Sequence, residues 1–292
     1  MMNPGAWQER AFTFPCRGAT LVGILHPSDR PAQKGVLIVV GGPQYRVGSH
    51  RQFVLLAREL AAQGVPVLRF DHRGIGDSDE PYLGFEALDH DIAAAVDAFM
   101  AQCPGLRDVV LWGLCDAASA ILFYAHQDPR IAGIVLLNPW VRTPQSEARA
   151  YLRHYYLQRL TDRDFWRNLL SGRLNLYRSA ISLLGLVAQR LGIATRSASR
   201  AANADVHDAR SLPERMAHGF SRFTGPVLLI MCGRDLTARE FEDAVRASET
   251  WRRLLNEPRV SRRDLPAADH TFSRQIWRDN IVNWTCQWIR DS

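Results

Sequence analysis

Two hydrophobic rhythms alternate along the first half of the chain. Val36-Leu37-Ile38-Val39-Val40 is a continuous apolar run, the pattern of a strand buried on both faces of a parallel sheet. Val65-Pro66-Val67-Leu68-Arg69-Phe70 predicts the next strand. Between them a helix is expected over 52–63, with Ser49 placed to cap its start and Gly64 to end it. Residues 89–102 carry Ile92, Val96 and Phe99 at helical spacing. Further strands are expected at 109–112, 131–137, 227–231 and 259–265. Residues 11–14 and 20–25, on either side of Arg17-Gly18, predict an antiparallel hairpin at a sheet edge. Strands that alternate with helices imply an α/β fold, a mostly parallel central sheet with helices on both faces.

The alternation stops between Trp140 and Phe223. Residues 140–223 contain no good strand pattern and three helical stretches, 146–160, 164–170 and 174–191. They also hold 14 arginines against 6 acidic residues, a net of +8 in a chain whose total is +6. A helical insertion with its own charge balance, set between two core strands, reads as a cap or lid. The expected organisation is therefore a core of 1–139 and 224–292 and a cap of 140–223. A basic face of this kind is equally an ordinary solvated surface.

Composition removes several classes of function. The chain has 292 residues, 47% of them hydrophobic, enough for one large core with an insertion. Five cysteines, at 16, 103, 115, 232 and 286, lack CxxC spacing, so neither a disulfide framework nor a metal site is expected. No run approaches the roughly 20 apolar residues of a membrane span, and no stable membrane insertion is expected. The first ten residues lack a basic segment followed by an apolar one, so the expected location is the cytoplasm. The sequence pI near 9.4 invites nucleic acid as a partner, but no recognition motif accompanies it. Arg73-Gly74-Ile75-Gly76 lacks the spacing of a dinucleotide fingerprint, and no cofactor is expected.

The candidate chemistry centres on Gly113-Leu114-Cys115-Asp116-Ala117, which follows the apolar run Val109-Val110-Leu111-Trp112 and opens an alanine-rich helical segment. A strand that turns sharply into a helix needs small residues two before and two after the turn residue, because the backbones there nearly touch. Gly113 and Ala117 meet that need around Cys115. The positive end of the following helix favours a thiolate and so a nucleophile at this position. Centring the turn on Asp116 would put Leu114 where bulk is poorly tolerated, and Ser119 lies a full helical turn further on. The plainer alternative for Cys115 is a small buried residue at a strand end.

Four separated features resemble the α/β-hydrolase superfamily, in that family's order. They are Gly41-Gly42-Pro43-Gln44 after one strand, Asp71-His72-Arg73-Gly74-Ile75-Gly76-Asp77-Ser78 after the next, the turn at Cys115, and the late pair Cys232-Gly233-Arg234-Asp235 and Asp269-His270. Within the superfamily, Gly-Gly-Pro-Gln-Tyr-Arg together with Gly-Leu-Cys-Asp-Ala resembles the hydrolases associated with exosortase A systems of exopolysaccharide-producing bacteria. The resemblance implies an α/β-hydrolase fold with a helical cap inserted before the late strands. It implies a triad of Cys115 as nucleophile, His270 as base and Asp235 as acid, with Asp269 as the competing carboxylate. A cysteine in place of serine departs from most of the superfamily and is similar to the dienelactone hydrolases.

The family's oxyanion hole takes one donor from the N–H after the nucleophile, here Asp116, and one from the loop after the third strand. Pro43 has no N–H to give, so that donor is expected to shift to Gln44 or Tyr45. Arg46, His50 and Arg51 follow this loop and, with the arginine-rich cap, point to an anionic substrate. The function expected is hydrolysis of an acyl ester or thioester, or acyl transfer, through a Cys115 acyl-enzyme. The acyl substrate is expected to be a small molecule or a saccharide conjugate. The alternative is a catalytically silent relative that binds a ligand or partner.

Overall fold

In a computed structural model the described residues are 9–42, 44–141 and 210–292. Eight strands form one sheet in the order β1-β2-β4-β3-β5-β6-β7-β8. They are β1 (Arg10–Cys16), β2 (Ala19–His26), β3 (Lys34–Val39), β4 (Val67–Asp71), β5 (Asp108–Leu114), β6 (Ile131–Leu137), β7 (Val227–Cys232) and β8 (Val260–Leu265). The hairpin β1–β2 lies antiparallel at one edge, and β2 also runs antiparallel to β4; every later pairing is parallel. The central strands are apolar throughout because both faces are covered: all five positions of β4 and all six of β7 are buried. The edge strand β8 differs. Its Arg262, Arg263 and Asp264 are exposed, which blunts an edge that would otherwise pair with another chain.

Helices α1 (Gln52–Ala62), α2 (Asp89–Gln102), α3 (Asp116–Tyr124), α4 (Leu212–Arg222), α5 (Leu236–Ala247), α6 (Glu249–Leu255) and α7 (Gln275–Asp291) complete the described elements, with three short 3-10 turns. Strand periodicity divides them between the faces. Val36, Ile38 and Val40 of the β3 segment share one core with Phe53, Leu56 and Leu60 of α1 and with Trp277, Ile281 and Ile289 of α7. Gly35, of the opposite parity, faces Phe99 of α2.

Most sequence expectations match within two residues, and α2 matches at both ends. The start of α1 does not. Ser49 caps nothing; it opens a 3-10 turn, and the helix begins from Arg51 in the left-handed region (φ 59°) with no side-chain cap. His50 shares that conformation at φ 53°. A rising left-handed turn after Gly48 thus replaces the expected serine cap.

The chain divides into two units, Met1–Val141 with Pro213–Ser292, and Arg142–Leu212. The expected cap helices at 146–160, 164–170 and 174–191 lie outside the described residues. The first unit resumes at Pro213, inside the span expected for the insertion. The reason is packing: Met216, Ala217 and Phe220 of α4 are buried, and Phe220 meets Trp251 edge-on at 5.6 Å. Gly219 lets α4 cross α3 closely, since a Cβ there would sit 1.9 Å from the Leu122 carbonyl oxygen. No helix among the described residues is long and apolar enough to cross a membrane.

Candidate active site

The carboxyl ends of β3, β4, β5, β7 and β8 carry the residues singled out in the sequence, the side where open α/β sheets place their chemistry. Between β5 and α3 the chain reverses through Cys115, which adopts φ 63° and ψ −127°. That backbone is strained for any residue with a Cβ, by about 1–3 kcal/mol, and the surroundings must impose it. They do so through hydrogen bonds on both sides of the residue. The Cys115 N–H donates to the Leu137 carbonyl at 2.9 Å, while the Cys115 carbonyl accepts from Trp140 N–H at 3.2 Å and Ser119 N–H at 3.3 Å. The expected steric rule also holds, because a Cβ on Gly113 would lie 2.9 Å from the Ala117 carbonyl carbon and 3.0 Å from the Ala118 nitrogen. Ser119 is fully buried and its hydroxyl donates to the Trp140 carbonyl at 2.6 Å, which makes it a strut of the turn.

Asp235 is the first residue after the β7 turn and serves two partners at once. Its Oδ1 caps α5 by accepting Thr237 N–H at 2.9 Å, and its Oδ2 faces His270 Nδ1 at 2.7 Å. One carboxylate, 4% exposed, has two oxygens and so both caps a helix and partners a histidine. Backbone bonds fix the two loops together: Gly233 N–H donates to Leu265 O and Arg234 N–H to Ala268 O. Asp269 turns the other way. Its Oδ1 accepts Thr271 N–H and Ser273 N–H, and its Oδ2 accepts the Ser273 hydroxyl. Those bonds hold its carboxyl below the usual carboxylate range, although burial opposes them.

The Cys115 side chain lies close enough to His270 to act on it electrostatically. The Asp235 hydrogen bond, and after it the neighbouring Cys115 side chain, pushes the imidazole up to about 10 against the opposing effect of burial. A carboxylate and an imidazole thus form a pair across the ends of β7 and β8, with the Cys115 thiol at the end of β5 within electrostatic reach. An imidazole raised this far stays protonated near neutrality.

The loop after β3 departs from the simple expectation. Gly42 N–H donates to Asp116 Oδ2 at 2.8 Å, and Gln44 N–H closes a turn on Gly41 O at 3.3 Å. Pro43 lies outside the described residues, and its lack of an N–H is a matter of sequence. The Gln44 amide is therefore already engaged, while Tyr45 is 47% exposed on the following turn. Desolvation raises the Asp116 carboxyl, and its Oδ1 is buried without a partner.

Arg46 is not a free substrate-binding cation. Its backbone N–H donates to Asp71 Oδ1 at 2.7 Å, and its guanidinium pairs with Asp71 and, at 2.6 Å, with Asp77. Asp71 is fully buried, and the paired guanidinium offsets the hydration that a carboxylate loses in the core. The D-x-R-G-x-G-x-S stretch is largely this scaffold. Arg73 forks onto the buried Asp91, and the Ser78 hydroxyl donates to the Asp71 carbonyl. His50 stands at the rim, its Nε2 3.4 Å from the Thr271 hydroxyl beside His270, and Arg51 is exposed at the start of α1.

Two residues of this region carried no sequence signal. His72 is fully buried with Nε2 unpartnered, and burial pushes its imidazole down. Tyr82 stacks on it at 5.3 Å between ring centroids. The Tyr82 phenol is pushed up to about 12, by desolvation first and then by the Asp116 and Cys115 charges. Its place in the site comes from the folding of loop 72–84, not from a motif. No group of histidine, cysteine and acidic side chains suited to a metal occurs among the described residues.

Solved structures share this fold at low sequence identity. An esterase from Pyrococcus furiosus aligns with a TM-score of 0.66 at 14% identity, covering 100% of this chain and 94% of its own. Est1E from Butyrivibrio proteoclasticus, with ferulic acid bound, gives 0.61 at 15%, covering 96% and 98%. A dienelactone hydrolase from Anabaena variabilis gives 0.59 at 15%, covering 98% of each chain. No curated protein matches by sequence. The model of the alpha/beta hydrolase family matches residues 36–275. With that match laid over this sheet, the chain belongs to the alpha/beta hydrolase family.

Proposed function

We propose that the protein hydrolyses acyl esters or thioesters through a Cys115 acyl-enzyme. The observation that carries this reading is the Asp235–His270 pair set within electrostatic reach of the cysteine at the strained turn. The Cys115 sulfur attacks the acyl carbon, forming the C–S bond while the carbonyl π electrons move to oxygen. As the tetrahedral intermediate collapses, the bond to the leaving group breaks and His270 gives it a proton, so an alcohol or thiol departs. Water then attacks the thioester as His270 takes its proton, releasing a carboxylic acid and restoring the thiol. Asp235 orients the imidazole throughout and stabilises its protonated form. Neighbours in fold that are named esterases and a dienelactone hydrolase agree with ester chemistry in general terms.

Finer features follow the same proposal. The substrate is a small or saccharide-linked acyl compound, the setting is exosortase-associated exopolysaccharide production in the cytoplasm, and 140–223 acts as a cap that selects the acyl group. An anionic substrate now depends on His50, Arg51 and the arginines of 140–223, because Arg46 is neutralised.

The second reading, a silent binding protein, is favoured by one observation: Asp116 occupies the Gly42 amide that borders the expected oxyanion hole. One experiment separates the two. Wild type and Cys115→Ala are screened against short-chain p-nitrophenyl esters and acyl thioesters. Turnover by wild type that Cys115→Ala abolishes supports the enzyme. No turnover by either supports the silent reading, and equal turnover by both would remove Cys115 from the reaction.

A further inference from the structure

The loop after β3 meets the turn at Cys115 backbone to backbone. A Cβ on Gly41 would lie 3.0 Å from the Leu114 carbonyl oxygen, 2.7 Å from the Ala117 nitrogen and 2.1 Å from Asp116 Oδ1. Those three residues bracket Cys115, so nothing larger than hydrogen fits at 41 while the loop stays in place. Gly42 follows in the left-handed region at φ 57°, which glycine adopts without strain. Its N–H donates to Asp116 Oδ2 at 2.8 Å, across 74 residues of sequence. Close contact and hydrogen bond thus join the loop to one side chain, that of the residue directly after Cys115.

A carboxylate is a costly group to place there. Its Oδ1 is buried and has no hydrogen-bond partner among the described residues. Desolvation raises the carboxyl, although the Gly42 bond opposes it. A brace that served the fold alone would be made at lower cost by a neutral side chain, because a buried charge without full compensation opposes folding. What the carboxylate adds is a charge-assisted bond, stronger than a neutral one. That strength counts at this junction, where the two sources of oxyanion donors face each other: the Asp116 N–H on one side and the loop after β3 on the other.

We propose that the Asp116 side chain is a positioning residue, a latch that holds the loop after β3 against the nucleophile turn so that donors from both sides converge on one carbonyl oxygen. The proposal rests on the Cys115 acyl-enzyme reading. The carboxylate touches no reacting atom in this role and acts through Gly42. The latch therefore matters where an oxyanion forms, and not where the thiol reacts without one.

The test compares two reactions of Cys115 in the full-length protein. Acylation by p-nitrophenyl acetate builds an oxyanion; alkylation by iodoacetamide uses the same thiol and builds none. Dividing the first rate by the second removes any change in the thiol itself, including that from losing a neighbouring negative charge. Asp116→Ala is expected to lower this ratio about 10²-fold, with alkylation no slower than in wild type. Asp116→Asn keeps an oxygen for the Gly42 N–H and should stand at least about five-fold above Asp116→Ala. Gly41→Ala forces the loop off the turn with Asp116 intact; it should lower the ratio as well, and it carries the test if Asp116→Ala does not fold. A ratio within about three-fold of wild type in either alanine variant would overturn the proposal. So would an Asp116→Asn ratio as low as that of Asp116→Ala, which would assign the effect to the charge and not to the bond. Failure of the parent reading looks different: wild type itself would carry no acetyl group on Cys115, or Cys115→Ala would hydrolyse the ester at the wild-type rate.

Discussion

At the scale of single residues the decisive group is His270, whose imidazole is raised from its ordinary 6.5 to about 10 by Asp235 and Cys115. A raised imidazole means that folding favours the protonated form. Its contribution to stability is complete below about pH 6.5 and is lost as pH rises through about 10. The difference in Tm between wild type and His270→Ala should therefore be largest near pH 6.5 and shrink by pH 10. His270→Ala should also slow iodoacetamide labelling of Cys115 at pH 7 by at least about ten-fold, since the thiolate loses its cation. Equal labelling in the two proteins would dissolve the pair. The carboxylates divide as their contacts do. Asp235→Asn should lower kcat/KM by about 10²–10⁴-fold, whereas Asp269→Asn should cost about 1 kcal/mol of stability and leave turnover within a few-fold. Reversed effects would move the acid role to Asp269.

At the scale of elements, two local devices hold the tip of the sheet in place. One is the ion pair of Arg46 with Asp71, which ties the loop after β3 to the end of β4. Arg46→Ala leaves a buried carboxylate without its cation and should destabilise the protein by about 3 kcal/mol in urea unfolding. A substrate-binding arginine would instead raise KM and leave the urea midpoint unchanged. The other device is the α3–α4 crossing at Gly219. Gly219→Ala places a methyl against the Leu122 carbonyl and should cost about 1–3 kcal/mol, read in the same unfolding experiment. Because α3 begins directly after Cys115, the variant should also label that thiol more slowly.

For the whole molecule, β6 and β7 pair directly in parallel, Ile134 against Val227, so the sheet is continuous across the long connection between them. Replacing 142–209 with a Gly/Ser linker should leave a folded protein whose Cys115 still reacts with iodoacetamide. Acyl preference should broaden, and the salt dependence of kcat/KM should weaken because most of the basic residues of 140–223 go with the segment. An insoluble product would show that this segment is needed to fold the sheet.

The sequence by itself determined the succession of strands, the helices α1, α2 and α3, the small residues around Cys115 and the placement of Asp235 and His270 after their strands. Those are local properties: apolar periodicity reports burial, and a Gly-x-Cys-x-Ala turn is a steric demand within five residues. What it could not determine was which charges meet. Arg46 reads as a free cation until Asp71, 25 residues away, takes it. Ser49 reads as a cap until a left-handed turn supersedes it. Gly42 and Gln44 keep open amides until Asp116, 74 residues beyond Gly42, and the Gly41 carbonyl engage them. Tyr82 belongs to no motif and meets His72, ten residues before it, only through the folding of the loop after β4. Hydrogen bonds and ion pairs act over a few ångströms in space with no regard for distance along the chain, so only the tertiary structure could decide these pairings.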